Sequence, residues 1–265
     1  MADMTQIHSD PAMSASGVPA SPISASSTTS HLDSLSSPPI AFISGDYPGE
    51  VVVPSSAHTL EGFRQWALSE DCPNRGRFTF AAGELIIDMS PESIENHNFV
   101  KTEVTTVVYA RAKRHKLGRV YSDGCLLSNV EANISTEPDT TFATYDTLRS
   151  GRCQVLPSRR PGVTQEIVGS PDWVLEIVSP SSKRKDKQLL REGYFRAGIG
   201  EYWLIDALGD EIDYQILIPG EDGYVAVETR KGWLASRTFG CSFRLTRKKD
   251  EDELWQYTLH VRENR

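Results

Sequence analysis

Gly169-Ser-Pro-Asp172-Trp-Val-Leu-Glu176-Ile-Val-Ser-Pro180-Ser-Ser leads into the basic run Lys183-Arg-Lys-Asp-Lys187. The chain continues Gln-Leu-Leu-Arg-Glu-Gly-Tyr194-Phe-Arg-Ala-Gly198, then Ile-Gly-Glu201-Tyr-Trp-Leu-Ile-Asp206. Trp173 to Val178 is short, apolar, rich in β-branched and aromatic residues, and fenced by Pro171 and Pro180, which predicts a buried strand. Lys187 to Ala197 has helical spacing with Gly198 placed as its stop. Tyr202 to Ile205 is again short and apolar. Strand, short helix, strand is a crossover unit, so two parallel strands buried on both faces are expected. Glu176 stands out, because a carboxylate inside an apolar central strand is costly unless it is paired or holds a metal.

Composition narrows the class. The 265 residues are 38% apolar, enough for a sizeable core. No apolar run reaches the roughly 18 residues of a membrane span, and the N-terminus has neither the basic start nor the apolar stretch of a secretory signal. Cys72, Cys125, Cys153 and Cys241 are scattered without close pairs, so neither disulfide staples nor a zinc site is expected, and a reducing cytoplasm is the natural compartment. The net charge of −8 is uneven: residues 1–58 hold five acids and no Lys or Arg, leaving 31 acids against 28 bases in the remainder. That near balance argues against a strongly basic, non-specific nucleic-acid coat.

Residues 1–55 are rich in Ser, Ala, Pro and Thr and read as a disordered tail, with a short ordered patch between Ala41 and Val53 left open. Residues 56–265 read as one folded domain. Thr59 is placed to cap a helix from Leu60 to about Ser69. Arg77–Phe80 and Glu84–Met89 form a predicted hairpin about Ala-Ala-Gly83. Ser93 opens a helix of about twenty residues with the stripe His97, Val100, Val104, Val107, Val108 and with Lys101 mostly off it. Val120–Val130 reads as strand and turn, and Pro138-Asp139 opens another β-prone run. The polar residues 146–168 read as a long surface loop. A β meander is expected beyond Asp206.

Asp172 and Glu176 share one face of their strand but lie about 13 Å apart at strand rise, too far to hold one ion together. Glu176 therefore needs a carboxylate from a neighbouring strand, and Asp139 is the best-placed candidate. Such a pair, with main-chain and water oxygens, suits Mg²⁺ or Mn²⁺. Structural readings stand beside these: a buried ion pair for Glu176, a turn cap for Asp139, a strand-entrance cap for Asp172, a packed ring for His97 and a hairpin position for Glu84. Lys183 to Lys187 reads either as a solvated helix start or as a phosphate-binding face.

From about Leu60 to Val261 the chain resembles the Uma-type restriction endonucleases within the PD-(D/E)xK nuclease superfamily. The residues that carry the resemblance are Gly83-Glu84-Leu, Ser90-Pro with His97, Pro138-Asp139, Pro171-Asp172 with Glu176 and Val-Ser-Pro-Ser181, Asp186 with Tyr194, Ala-Gly-Ile199, and Glu201-Tyr-Trp-Leu-Ile-Asp206. The resemblance implies an α/β, restriction-endonuclease-like mixed central sheet flanked by helices, and a Mg²⁺- or Mn²⁺-dependent endonuclease, a hydrolase acting on DNA phosphodiester bonds. It gives Asp139 and Glu176 the catalytic and metal-binding acidic roles, with Glu84, His97, Asp172 and Lys185 as supporting candidates. The lysine expected two residues after the acid is replaced by Val178, and the lysine that many relatives carry four residues after the counterpart of Asp186 is replaced by Leu190. Lys187 is the expected substitute for orienting the attacking water, with Lys185 second. The rival reading is a nucleic-acid-binding or scaffolding protein that kept the nuclease fold without the lysine; a protein-interaction module is a weaker third. A homodimer is left open.

Overall fold

The computed structural model describes residues 40–43, 50–157 and 164–264. The deciding stretch folds as expected. Strand Trp173–Ile177 runs parallel to strand Glu201–Asp206, with Trp173 opposite Glu201 and Glu176 opposite Leu204. Between them lie a π-helical turn, Lys185–Leu190, and a short helix, Arg191–Arg196. These two strands are the centre of a six-stranded sheet. On one side follow Thr140–Thr144 and Gly118–Ser122; on the other, Asp213–Pro219 and Tyr224–Ala226.

The alternation of the strands sorts this sheet's two faces. Trp173, Leu175, Ile177, Trp203 and Ile205 face the long helix Phe99–Arg114 and the C-terminal three-stranded sheet, meeting Val100, Val104, Val108, Phe243 and Leu259. Val174, Val178, Tyr202 and Leu204 face the other way, against Leu190 and Tyr194 of the crossover and against Leu127, Ile134 and Ile167 of a second six-stranded sheet. Burial on both faces is why these strands read as continuous apolar runs. Glu176 has the parity of the second face, so its carboxylate enters the layer that holds Tyr194.

The second sheet begins with the predicted hairpin, Arg77–Ala81 paired to Glu84–Asp88. Ala82 and Gly83 form its two-residue turn with φ of 53° and 78°, the left-handed pair that such a turn requires. Its far end corrects one expectation. The described residues of 146–168 are not a surface loop: they form helix Tyr145–Ser150 and strands Cys153–Pro157 and Thr164–Gly169, with residues 158–163 outside the described residues. The polar look came partly from Glu166, which is buried in its strand and bonded by Arg64 at 2.6 and 3.0 Å.

The short patch left open within residues 1–55 is ordered in its described part. Strand Glu50–Val53 pairs with Ile40–Ile43, and Val51 and Val53 are fully buried against Phe63 and Trp66 of helix Leu60–Ala67. Alternate apolar residues in an otherwise tail-like composition were enough to draw this segment into a core. Residues 1–39 and 44–49, the greater part of the expected tail, lie outside the described residues. The four cysteines are free, and no helix among the described residues is long and apolar enough to cross a membrane.

The expected meander divides. Its first two strands extend the central sheet, whereas Leu234–Ser236, Cys241–Lys249 and Trp255–Glu263 form an antiparallel sheet of their own. The free edge of Trp255–Glu263 lies beside the long helix. There Glu103 accepts the N–H of Leu259 at 2.8 Å, Glu95 accepts that of Trp255 at 3.2 Å, and the edge is closed to another strand.

Candidate active site

Two buried carboxylates meet where strand Thr140–Thr144 begins beside Trp173–Ile177. Their antiparallel register pairs Leu175 with Thr140; one step further it brings Asp139 across from Glu176. Asp139 Oδ2 accepts the N–H of Ile177 at 2.7 Å, which ties the first carboxylate to the strand that carries the second. Asp139 is 6% exposed and Glu176 3%. Burial raises the pKa of both, well above the usual carboxylate range for Glu176, and the surrounding cations offset this only in part.

Each carboxylate is held from a different element. The Tyr194 hydroxyl donates to Glu176 Oε1 at 2.6 Å. Burial and the adjacent carboxylate push that phenol's pKa well up, so it remains a donor. Lys185 Nζ lies 3.8 Å from Glu176 Oε2 and 2.8 Å from Asp186 Oδ1. Burial alone would lower the lysine's pKa, but Glu176 and Asp186 reverse that and keep it charged. Asp186 is itself fixed by the Ser182 hydroxyl, and its main-chain carbonyl accepts from Tyr202 at 2.9 Å. On the other side, His97 Nε2 lies 3.5 Å from Asp139 Oδ2, and Lys101 Nζ 3.6 Å from Asp139 Oδ1. Lys101 also bonds Glu92 at 2.8 Å and Asp123 at 2.7 Å. Burial works to raise the Glu92 pKa; Lys101, His97 and Arg77 outweigh it and hold the group at about 2.

Both helical segments that serve the site begin with a π-helical turn. Ile94–Asn98 precedes the long helix and carries His97; Lys185–Leu190 precedes the crossover helix and carries Lys185 and Asp186. Such a turn takes one residue more than an α-helical turn and re-aims the side chains in it, and it recurs at functional sites.

The sequence reading pairs Asp139 with Glu176 and keeps His97 as a supporting candidate; in the structure Asp139 lies across from Glu176, and His97 stands beside Asp139. Lys187 is a correction: its amine turns to Asp206, at 2.6 Å. The second candidate, Lys185, is the one that faces Glu176. Both lysines lie in the π turn Lys185–Leu190, where side chains do not keep α-helical spacing, and it is Lys185 that this turn aims inward. Glu84 is exposed at its hairpin and forms a bidentate pair with Arg184 at 2.6–2.9 Å. Asp172 caps the far end of its strand, accepting from Thr144 N–H at 2.6 Å, Thr147 Oγ1 at 2.8 Å and Arg152. The expected phosphate-binding face at Lys183–Lys187 is largely neutralised, since Arg184 is paired, Lys185 is buried and Lys187 is engaged by Asp206.

Glu92, Lys101, Asp186 and Tyr194 had no assigned role from sequence. Lys101, expected mostly off the apolar stripe, is 7% exposed with its amine among the acids. Its spacing of four from His97 was the available signal. Glu92 stands in Ser90-Pro-Glu, just before the helix, a position that carries no such mark.

The donor set fits a divalent ion. Ligand atoms of Glu92, His97 and Asp139 lie within 4.8 Å of one another, and His97 Nδ1 is buried without a hydrogen-bond partner. Within this set Asp139 is buried with its pKa raised by burial, and the His97 Nδ1 without a hydrogen bond lies 3.4 Å from Glu92 Oε2, so a cation between them would stabilise the Asp139 carboxylate.

A mixed sheet flanked by helices, with acidic residues gathered at the end of its central strands, is a restriction-endonuclease-like fold. The chain belongs to the Uma2 family, described as "Putative restriction endonuclease", whose model matches residues 60–247. Among solved structures it is similar to the crystal structure of "a putative nuclease belonging to DUF820" from Anabaena variabilis. That likeness has a TM-score of 0.50 at 17% identity and covers 68% of this chain and 90% of the other. No curated protein matches the chain.

Proposed function

We propose that the protein is a metal-dependent endonuclease that hydrolyses DNA phosphodiester bonds by direct attack of water. The observation that carries the reading is the buried Asp139–Glu176 pair with Lys185 presented to it from the following helix. Asp139 and Glu176 would hold the ion, with His97 and Glu92 alongside. A divalent ion bound there supplies a Lewis acid that lowers the pKa of water and neutralises charge on the phosphate.

This chain's own residues do the rest. Tyr194 fixes Glu176, and the Ile177 N–H fixes Asp139, so neither carboxylate needs to reorganise. The Lys185 ammonium stands beside Glu176, where it can orient the attacking water and stabilise negative charge developing on the phosphoryl oxygens. A cleft of about 380 Å³ lined by Arg77, Ser90, Glu92, Asp123 and Glu137 opens on the Glu92 side of the site.

A catalytically impaired fold was the rival because no lysine stood at either family position. Lys185 supports the catalytic reading instead. Purified protein is incubated with supercoiled plasmid in Mg²⁺, Mn²⁺ or EDTA, beside Glu176→Gln and Asp139→Asn. Nicking by the wild type that disappears in EDTA and in both variants is expected. Folded wild type that leaves plasmid intact in both metals would sink the proposal.

A further inference from the structure

The C-terminal sheet turns one face into the core and one to solvent, and the two faces differ in charge as well as polarity. Phe243, Tyr257 and Leu259 point inward. The opposite parity carries Arg244, Lys248, His260 and Arg262, with Thr246 and Thr258 between them. The register sets Arg244 against His260 and Thr246 against Thr258. No Asp or Glu occupies an outward position from Ser242 to Lys248 or from Gln256 to Arg262, although the chain as a whole has a net charge of −8. Such segregation is the electrostatic pattern of a surface that meets a polyanion.

Two of these cations, the part-buried Arg244 and the exposed Arg262, share one aromatic ring. The Arg244 and Arg262 guanidiniums lie 5.0 and 4.5 Å from the centre of the Trp233 ring. Stacking on an indole costs a guanidinium little of its hydrogen-bonding capacity and orders it in advance. Among the described residues neither arginine has a carboxylate partner, and Arg244 Nε is buried without any hydrogen-bond partner. Arg64, Arg77, Arg111, Arg152 and Arg184, by contrast, are each paired with an acid. A cleft of about 780 Å³ lined by Glu228, Arg230, Trp233, Ser242, Arg262 and Glu263 opens beside the pair, and its two acids are already engaged, Glu228 by Arg230 and Glu263 by Arg111.

We infer that this outward face, centred on the Arg244–Trp233–Arg262 stack, is a nucleic-acid-binding surface separate from the acidic site, and that it grips the sugar-phosphate backbone. The inference rests on the nuclease reading for its choice of polyanion. It deepens that reading by giving the acidic chain a place to hold its substrate. Phosphate contact through guanidiniums positions a duplex without reading its sequence.

The test is binding of a fluorescent 30-base-pair DNA duplex in EDTA, followed by anisotropy at several salt concentrations. Each phosphate contact adds about 0.9 to the slope of log K against log salt for B-form DNA. Arg244→Gln with Arg262→Gln should therefore reduce the slope by about 2 and weaken binding at least tenfold near 0.1 M salt. Arg244→Lys with Arg262→Lys keeps the charge and should recover most of the slope. Lys113→Gln with Arg114→Gln makes the same change in net charge at two exposed helix residues and should leave the slope near wild type. Thermal melts confirm that each variant is folded.

An unchanged slope in the folded Gln pair, an equal loss in the helix pair, or a wild type that binds no duplex would each overturn the inference. So would displacement of the duplex by polyglutamate as effectively as by unlabelled DNA. Plasmid cleavage is scored separately. Wild type that nicks plasmid while the Gln pair keeps its slope refutes the surface and spares the nuclease; slope-sensitive binding without nicking does the reverse.

Discussion

At Glu176, burial raises the carboxyl's pKa and Lys185 lowers it; the charges of Asp186 and Asp139 side with burial, the Tyr194 hydrogen bond with the lysine, and the net shift is upward. A carboxyl whose folded pKa lies above its unfolded value near 4.5 carries no penalty while both states are protonated. The penalty grows as pH rises from there through the folded value. Glu176→Gln should therefore match the wild type in EDTA near pH 4 and melt higher than it at pH 7. Divalent ion should then reverse the order at pH 7. Only the wild type should gain from metal, by about 2.7 kcal/mol at one hundred times Kd. A variant that melts far below wild type in EDTA at pH 7 would instead mark Glu176 as the structural partner of Lys185.

The lysines give a second residue-scale prediction. Lys185→Gln should lower the cleavage rate by about 10²–10³-fold, the usual loss on deleting one preorganised electrostatic group. Lys187→Gln, which loses only the half-exposed pair with Asp206, should stay within about threefold of wild type. Equal losses in initial-rate plasmid assays would mean that Lys187 can leave Asp206 and reach the site.

At the scale of elements, the crossover helix is the part on which the chemistry depends, because it carries Tyr194 and follows directly on Lys185. It sits close to the second sheet at Gly193, where a Cβ would come 2.5 Å from Ile134 Cδ1. A larger side chain must push the helix outward or displace Ile134. Overpacking of this kind costs about 1–3 kcal/mol, and a domain of this size loses about 2–4 °C of Tm per kcal/mol. Gly193→Leu should accordingly melt lower by several degrees. It should also lose more than tenfold in cleavage rate at temperatures where it is still folded, since Tyr194 and Lys185 retreat from Glu176. A loss of Tm with full activity would show that the helix can shift without disturbing the site.

For the molecule as a whole, the question is where the folded part begins. The composition of residues 1–35 cannot support a core, whereas Val51 and Val53 are fully buried. A chain starting at Ser36 should melt within about 1 °C of the full-length protein. One starting at Pro54 removes two buried valines, each contributing about 1.5–3 kcal/mol, together with strand Glu50–Val53. It should melt lower by roughly 5 °C or more by the same scaling. Identical melting of all three proteins would show that the Glu50–Val53 strand adds nothing to stability.

Local sequence determined what depends on adjacent residues. The apolar runs fenced by Pro171 and Pro180, the stop at Gly198, the turn at Gly83 and the valine stripe of the long helix each have a one- or two-turn cause, and each appears in the fold. The acid in the apolar strand was legible for the same reason: Glu176 is anomalous against its immediate neighbours. Asp139 was matched to it as the acid opening a nearby β-prone run, and the two strands do pair although Cys153–Pro157 and Thr164–Gly169, which join the second sheet, lie between them in the chain. Tertiary structure decided what depends on distance and rotation. Lys185 rather than Lys187 faces Glu176 because a π turn re-aims its side chains, and no apolar period records that extra residue. Lys101 is drawn inward by Glu92 and Asp139, whose charges come from other elements. The described parts of residues 146–168 form a helix and two strands because their few apolar side chains have a second sheet to meet, and Glu166 has Arg64 to neutralise it. A hydrophobic period is written along the chain; the partner of a buried charge is not, and it was those partners that fixed the site.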